Sequence, residues 1–306
     1  KDTPQNLDNI TFRRIISLIQ LYFKSKKIIN EIKPDVVHSH SVDMGFVMSF
    51  ACRKKGIPII NHFHTGLHDE IKGDKKRIFL ERILINRSRF SKIISVNPND
   101  ISSNKELVYI PNGVNLVKIK EIKKDNNKRF ILFVGRVEKT KGLTYLIEAI
   151  NLVKDSDNNI ILNIIGEGND LDYYKNLVND LNLNNYIKFL GKKINRDIQK
   201  YYSSSDIFAL PSLAEGFPIT LLEAWGSKLP VIITSVGGIS KICTNNEDSL
   251  IIQPKDSEAI ADAMLNLIKD KKLREKLGNN GRKLVENRYN WERINKEIGR
   301  VYGVVL

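Results

Sequence analysis

The chain has 306 residues, 42% hydrophobic and 27% charged, with only 18 Gly and 9 Pro, which excludes collagen-like, mucin-like and extensively disordered classes and predicts a soluble globular protein of two domains or one large one. Its 49 basic side chains outnumber 35 acidic ones for a formal charge of +14, denser in residues 1–115; such a surface attracts nucleic acid, anionic lipid or phosphorylated small molecules, and composition does not choose among them. Cys52 and Cys243 alone cannot build a disulfide framework or a Cys-rich zinc module, no apolar run reaches the ~18–20 residues of a membrane span, and KDTPQNLDNI has no secretory apolar region, so a reducing, cytoplasmic setting is expected.

Taken in chain order, Thr11–Ile32 reads as an apolar helix interspersed with Arg13, Arg14, Lys24, Lys26 and Lys27. Two readings stay open for it: a core-facing helix with a basic solvent face, or a helix drawn to an anionic membrane surface, which would make the protein peripheral. Asp35–His38, Ile57–Phe63, Lys92–Val96 and Leu107–Ile110 follow as strands, each separated from the next by a helix-length segment. Their apolar runs are continuous and β-branched rather than alternating, as parallel strands buried on both faces require. Residues 115–128 lose the pattern and read as a linker.

A second series then begins with Phe130–Val134, Ile160–Ile165, Tyr186–Leu190, Ile207–Leu210, Val231–Thr234 and Ser249–Ile252. Segments of helical periodicity lie between them, among them Leu143–Val153, Leu171–Asn179 and Ile194–Ser203. From Asp256 to Tyr302 the chain reads as two or three helices with no further strand. The fold class is therefore α/β with two parallel sheets, and the expected division is 1–115, 116–288 and a C-terminal helix over 289–306 that packs back toward the first domain.

In open parallel sheets, ligands sit beyond the carboxyl ends of the strands. After Phe130–Val134 comes Gly135-Arg136-Val137-Glu138-Lys139-Thr140-Lys141-Gly142 and a helix: Arg136 and Lys141 beside a helix N-terminus suit a diphosphate. After Ile207–Leu210 comes a Glu-Gly-Phe-Pro turn, with Pro218 expected in the first turn of a helix. The amides near Ile219 and Thr220 would then form a second phosphate cradle. Glu215 before that helix and Glu223 within it are acceptors suited to sugar and ribose hydroxyls.

These residues carry a resemblance. FVGRVEKTKGLTYLIEAI, IIGEG, FLG, DIFALPSLAEGFPITLLEAWGSKLPVI and TSVGGIS, in that order from Phe130 to about Pro254, resemble the second domain of the retaining, GT-B-fold glycosyltransferases of family 4. That fold comprises two Rossmann-like domains facing across a cleft. The resemblance implies transfer of a sugar from a nucleotide diphosphate donor, UDP- or GDP-linked, to an acceptor hydroxyl of a carbohydrate or lipid-linked glycan. It implies that Arg136 and Lys141 bind the diphosphate, that Glu215 contacts the transferred sugar, and that Glu223 contacts the ribose. Gly216, Phe217, Ile219 and Thr220 would belong to the same donor site, with Gly166-Glu167-Gly168 and Gly191 near the nucleotide. With basic groups on the diphosphate, no cofactor or metal is expected; Asp155-Ser156-Asp157 lies before a strand rather than after one and reads as turn chemistry.

In the first half, DVVHSH and IPIINHFH look like two strands of the family's acceptor domain, and Pro111-Asn112-Gly113-Val114 like the entry to its linker. The resemblance favours His64 as a catalytic residue near the transferred sugar, ahead of His40 and His62. All five histidines, with His38 and His68, cluster here. His-x-His pairs place imidazoles on one face of a strand, as a metal would need, but no Asp, Glu or Cys ligand accompanies them, so hydrogen bonding is the simpler reading. Departures from the family are Asn115 for Asp, Lys241 after GGIS where Glu is frequent, and the absence before Val36 of a strand and Gly-rich loop, roughly 60–90 residues by domain size. The same fold also serves nucleotide-sugar epimerases, and a non-catalytic donor-binding role fits the missing elements. Nucleic-acid binding has no recognisable module to support it.

Overall fold

The structure, a computed structural model, describes residues 4–64, 85, 88–102, 106–116 and 127–306. The chain divides into two compact units, Lys1–Pro111 with Asn295–Leu306, and Asn112–Ile294.

The first unit opens with helix α1 (Pro4–Ile32), then β1 (Val37–Ser39), α2 (Val42–Arg53), β2 (Ile59–Phe63), β3 (Lys92–Ser95) and β4 (Leu107–Tyr109). The four strands form one sheet in the order β1-β2-β3-β4, every neighbour parallel. Ile60 and Ile94 lie wholly inside it, which is where β-branched runs without polar alternation belong. β2 starts two residues later than the expected Ile57 because Pro58 has no N–H for the ladder; its carbonyl still accepts from Val37 N at 3.0 Å. Ser41 caps α2, accepting from Met44 N at 3.2 Å, and Ile29 of α1 packs with Ala51 and Cys52 of α2.

The helix-length connection between β3 and β4 carries a 3₁₀ turn, Pro98–Ser102. Ser95 Oγ donates to Asp100 Oδ2 at 2.5 Å and Asn99 N to Asn97 Oδ1 at 2.9 Å, so short polar side chains take the bonds that would propagate a helix.

The second unit is built from β5 (Arg129–Val134), a 3₁₀ turn (Lys139–Lys141), α3 (Leu143–Val153), β6 (Ile160–Ile165), α4 (Leu171–Asp180), β7 (Ile187–Phe189), α5 (Asn195–Ser204) and β8 (Ile207–Leu210). α6 (Ile219–Gly226), β9 (Val231–Thr234), α7 (Ile239–Ile242), β10 (Leu250–Ile252), α8 (Ser257–Lys269) and α9 (Lys271–Arg288) follow; α10 (Trp291–Val305), which belongs to the first unit from Asn295 on, ends the chain. Its six strands are ordered β7-β6-β5-β8-β9-β10, all parallel. Counted within the unit, that is 3-2-1-4-5-6, the doubly wound order whose direction reverses between the first and fourth strands. The crevice therefore opens where β5 and β8 end. Asp155-Ser156-Asp157 lies at the other end of the sheet, before β6, where Asp157 Oδ1 accepts from Asn159 N at 3.0 Å, a local Asx turn.

Candidate functional site

The loops after β5 and β8 are joined at the reversal point. Leu213 N donates to Thr140 O at 2.8 Å, and Lys141 Nζ meets Glu215 Oε1 at 2.5 Å with side chains only 17% and 9% exposed. Ser212 Oγ donates to the same carboxylate oxygen at 2.7 Å, and Thr234 Oγ1, from β9, donates to Ser212 O at 2.5 Å. Glu215 is thereby fixed from two sides, by a cation and a hydroxyl.

Two glycines let further loops close against this pair. At Gly237, φ is +56° and a Cβ would stand 1.8 Å from Glu215 O. At Gly166, after β6, φ is +145° and a Cβ would stand 1.8 Å from Gly135 O. Only a residue without Cβ permits such backbone contact. Gly191, at φ +66° beyond β7, accepts from Gly166 N at 3.1 Å, so the Gly166 and Gly191 loops are tied as well. The carboxyl ends of β5, β6, β7, β8 and β9 thus converge through backbone contact.

Arg136 is not drawn into the Lys141–Glu215 pair. Its side chain is 64% exposed, and Nη1 bonds Glu138 Oε1 at 2.7 Å. Pro218 corrects the expected helix start: it is the N-cap of α6, with φ −74° and ψ 118°, and the helix begins at Ile219. Its fixed φ is compatible with both positions, but the extended ψ places it one residue outside. No side chain caps α6. Ile219 is exposed, Gly216 and Thr220 are half-buried, and Phe217 is buried against Tyr289 with ring centroids 5.5 Å apart. Lys241 is exposed on α7.

Glu223, half-buried on α6, receives a hydrogen bond from Tyr202 Oη at 2.8 Å. Burial pushes its carboxyl above the ordinary range, and the Tyr202 bond partly opposes that rise. Burial, the nearby Glu223 charge and that same bond hold the Tyr202 phenol well above its ordinary value. Tyr202 was not anticipated from the sequence. A buried aromatic at the end of α5 is visible in the pattern, but nothing local signals its partner 21 positions later.

The histidines gather in the first unit. The parallel pairing of His38 with Ile60 puts residues 38, 40, 62 and 64 on one face, given the two-residue strand period. Rings stack at 4.5 Å between His38 and His40 and between His62 and His64. His40 Nδ1 and His64 Nε2 share a hydrogen bond of 3.0 Å, and His38 Nδ1 shares one of 2.7 Å with Tyr302 Oη. Burial, reinforced by the neighbouring imidazoles, brings His38 down to about 4 and His62 to about 3, and lowers His64. His68 lies outside the described residues.

A family model described as glycosyl transferases group 1 matches residues 116–284, and one described as glycosyltransferase family 4 matches residues 4–118. An uncharacterized glycosyltransferase of Methanocaldococcus jannaschii is 31% identical over 299 residues, covering 95% of this chain and 81% of that protein. The UDP-Gal:alpha-D-GlcNAc-diphosphoundecaprenol alpha-1,3-galactosyltransferase of Escherichia coli is 30% identical over 287 residues, covering 84% and 71%. Among solved structures, HepE of Anabaena in complex with UDP superposes with a TM-score of 0.79 at 19% identity, covering 92% of this chain and 82% of that one.

Proposed function

The chain belongs to the glycosyl transferases group 1 family and is a glycosyltransferase of the GT-B fold; from that premise we propose that it moves a sugar from a UDP- or GDP-sugar to an acceptor hydroxyl with retention of anomeric configuration. The observation that carries this reading is the Lys141–Glu215 pair at the reversal point of a 3-2-1-4-5-6 sheet. A cation and an acceptor set side by side there match a donor that is anionic at one end and polyhydroxylated at the other.

In the proposed reaction the anomeric C–O bond to the diphosphate breaks and its electron pair goes to the leaving phosphate oxygen. The acceptor oxygen bonds to the anomeric carbon on the same face, and its proton passes to that phosphate oxygen, giving the nucleoside diphosphate and a glycoside. Lys141, Arg136 and the first amides of α6, at Ile219 and Thr220, would stabilise the charge where it develops. Arg136 must leave Glu138 to do so. Glu215 would accept from hydroxyls of the transferred sugar and Glu223 from the ribose, while Gly216 and Phe217 complete the turn between them. Gly166 and Gly191 would let the nucleotide approach backbone. In the first unit, His64 is proposed to bond a sugar hydroxyl.

UDP is the favoured nucleotide, because the E. coli relative is named for a UDP-Gal donor and the Anabaena structure holds UDP. The name of that relative also favours a diphospholipid-linked acceptor. α1 and α2 support an anionic membrane surface as partner. Ile19, Phe23 and Phe50 are exposed around a cavity of about 850 Å³, with Arg53 and Lys54 at its lining. Among the described residues no helix is long and apolar enough to cross a membrane.

The test is thermal-shift binding of UDP-, GDP- and ADP-sugars to the whole chain and to Glu223→Ala, followed by product analysis with a lipid-linked acceptor. A stabilisation by one donor that the variant loses, with glycoside formed, is expected. No response to any donor, or epimerised donor without acceptor, would overturn the reading.

A further inference from the structure

We propose that His38, His40 and His62 form a site for a divalent transition-metal ion of the zinc class, with one coordination position left open. The site lies wholly within the first unit and shares only His64 with the reading proposed above.

One ring nitrogen from each of the three lies within 4.8 Å of the others. Among the described residues, three buried nitrogens in this group have no hydrogen-bond partner: His38 Nε2 and both ring nitrogens of His62. His62 is 7% exposed, so water does not readily supply what the fold withholds, and a buried imidazole with neither nitrogen paired calls for an occupant.

The outer bonds suit ligation. A metal-binding imidazole offers one nitrogen to the ion and ties the other to a neighbour, which fixes tautomer and ring direction. His38 does this with Nδ1 on Tyr302 Oη, leaving Nε2 orphaned. His40 does it with Nδ1 on His64 Nε2, leaving its own Nε2 to bind. His64 is therefore a positioning residue in this site, not a ligand. Zn–N bonds of about 2.0–2.1 Å at tetrahedral angles bring ligand nitrogens roughly 3.4 Å apart. His40 is exposed, and a small shift of its ring together with its His64 partner toward the two rings on the strands closes the set. Neutral imidazoles without thiolates or carboxylates favour Zn²⁺, Co²⁺ or Ni²⁺ over Mg²⁺ or Ca²⁺.

The experiment uses the untagged whole chain, stripped with a chelator and then freed of it, in equilibrium dialysis against Zn²⁺. One equivalent bound, with Mg²⁺ failing to compete, is expected. His40→Ala, at an exposed position that the fold tolerates, should abolish that equivalent, as should His62→Gln. His64→Gln should keep the stoichiometry and weaken affinity about 10–100-fold, the loss typical of an outer partner. Far-UV circular dichroism checks that each variant is folded. No bound zinc in the parent, or an equivalent that survives both His40→Ala and His62→Gln, would overturn the proposal. Thermal shifts induced by UDP alone, which has no transferred sugar for His64 to meet, report the nucleotide site separately on the same samples.

Discussion

Lys141 Nζ lies 2.5 Å from Glu215 Oε1, and each side chain is largely withdrawn from water. Breaking such a pair from one side strands the other charge, a loss of about 3–5 kcal/mol, whereas replacing both by apolar residues is often neutral. Lys141→Met alone should therefore lower the urea midpoint of the chain, and Lys141→Met with Glu215→Leu should recover much of it. Transfer should not recover. A cation aimed at developing phosphate charge contributes on the order of 10²–10³ in kcat, and the double variant lacks the one that Lys141 supplies, keeping only Arg136. Activity returning together with stability would mean that the pair only holds the loops.

Tyr202 and Glu223 form a second coupled pair, with the phenol wholly buried and the carboxyl raised by burial. The hydroxyl of Tyr202 favours the ionised carboxylate, which is the form that accepts from a ribose. Removing it in Tyr202→Phe should raise the Glu223 carboxyl further. Donor affinity should then fall as pH is lowered, and begin to fall at a higher pH in the variant than in the parent. At neutral pH a loss of about tenfold is expected, the equivalent of one charge-assisted hydrogen bond of about 1.5 kcal/mol. Isothermal titration across pH 5–8 reads both effects. Coincident pH profiles would show that Tyr202 only fills space.

How much of this was legible from the residues depends on range. Ile160–Ile165 and Val231–Thr234 read correctly to the residue, because a continuous β-branched run between turn residues has one reading. Pro58 shifted the start of β2 by lacking a donor, and the Ser95–Asp100 bond accompanies a 3₁₀ turn; periodicity registers neither. The loops carrying Lys141 and Glu215 were identifiable as following strands, yet their adjacency required strand order, which no local pattern encodes. The Tyr202–Glu223 bond, and the bond from Tyr302 to His38 across 264 positions, are products of tertiary packing alone. The His-x-His spacing was visible, but the orphaned nitrogens of His62 were not.

Gly237 tests the convergence of loops directly. Its φ of +56° and the 1.8 Å that would separate a Cβ from Glu215 O leave Gly237→Ala no room, since backbone cannot yield as a flexible side chain can. The φ alone costs about 1 kcal/mol or more, and the clash must displace the Glu215 carbonyl. A fall of several degrees in melting temperature is expected, together with a loss in kcat that exceeds the loss in nucleotide affinity. Gly56 serves as a control: its φ is +67° but a Cβ there meets nothing within 4 Å. Gly56→Ala should cost only the backbone term and spare transfer. Equal effects at the two sites would show that the contact with Glu215 has no part in catalysis.

Asp248 gives a prediction about pH. It is 4% exposed, its carboxylate accepts from Thr244 N at 3.1 and 3.0 Å, and its carbonyl takes Trp225 Nε1 at 3.1 Å. Burial pushes its carboxyl up to about 6, against the pull of the Thr244 amide. A folded-state value above the unfolded one means that the native state binds the proton more tightly, so stability falls as pH rises between about 4 and 6. Above that window the full penalty of burying the charge is present, at most about 3 kcal/mol. Asp248→Asn keeps an oxygen for Thr244 N and carries no charge. It should be more stable than the parent at pH 7, by about 1–3 kcal/mol in urea unfolding, and the advantage should vanish by pH 4, where both are neutral. If the variant is instead the weaker protein at pH 7, the bonds from Thr244 to a charged acceptor outweigh the burial of that charge, and Asp248 anchors the turn before β10 as an ion.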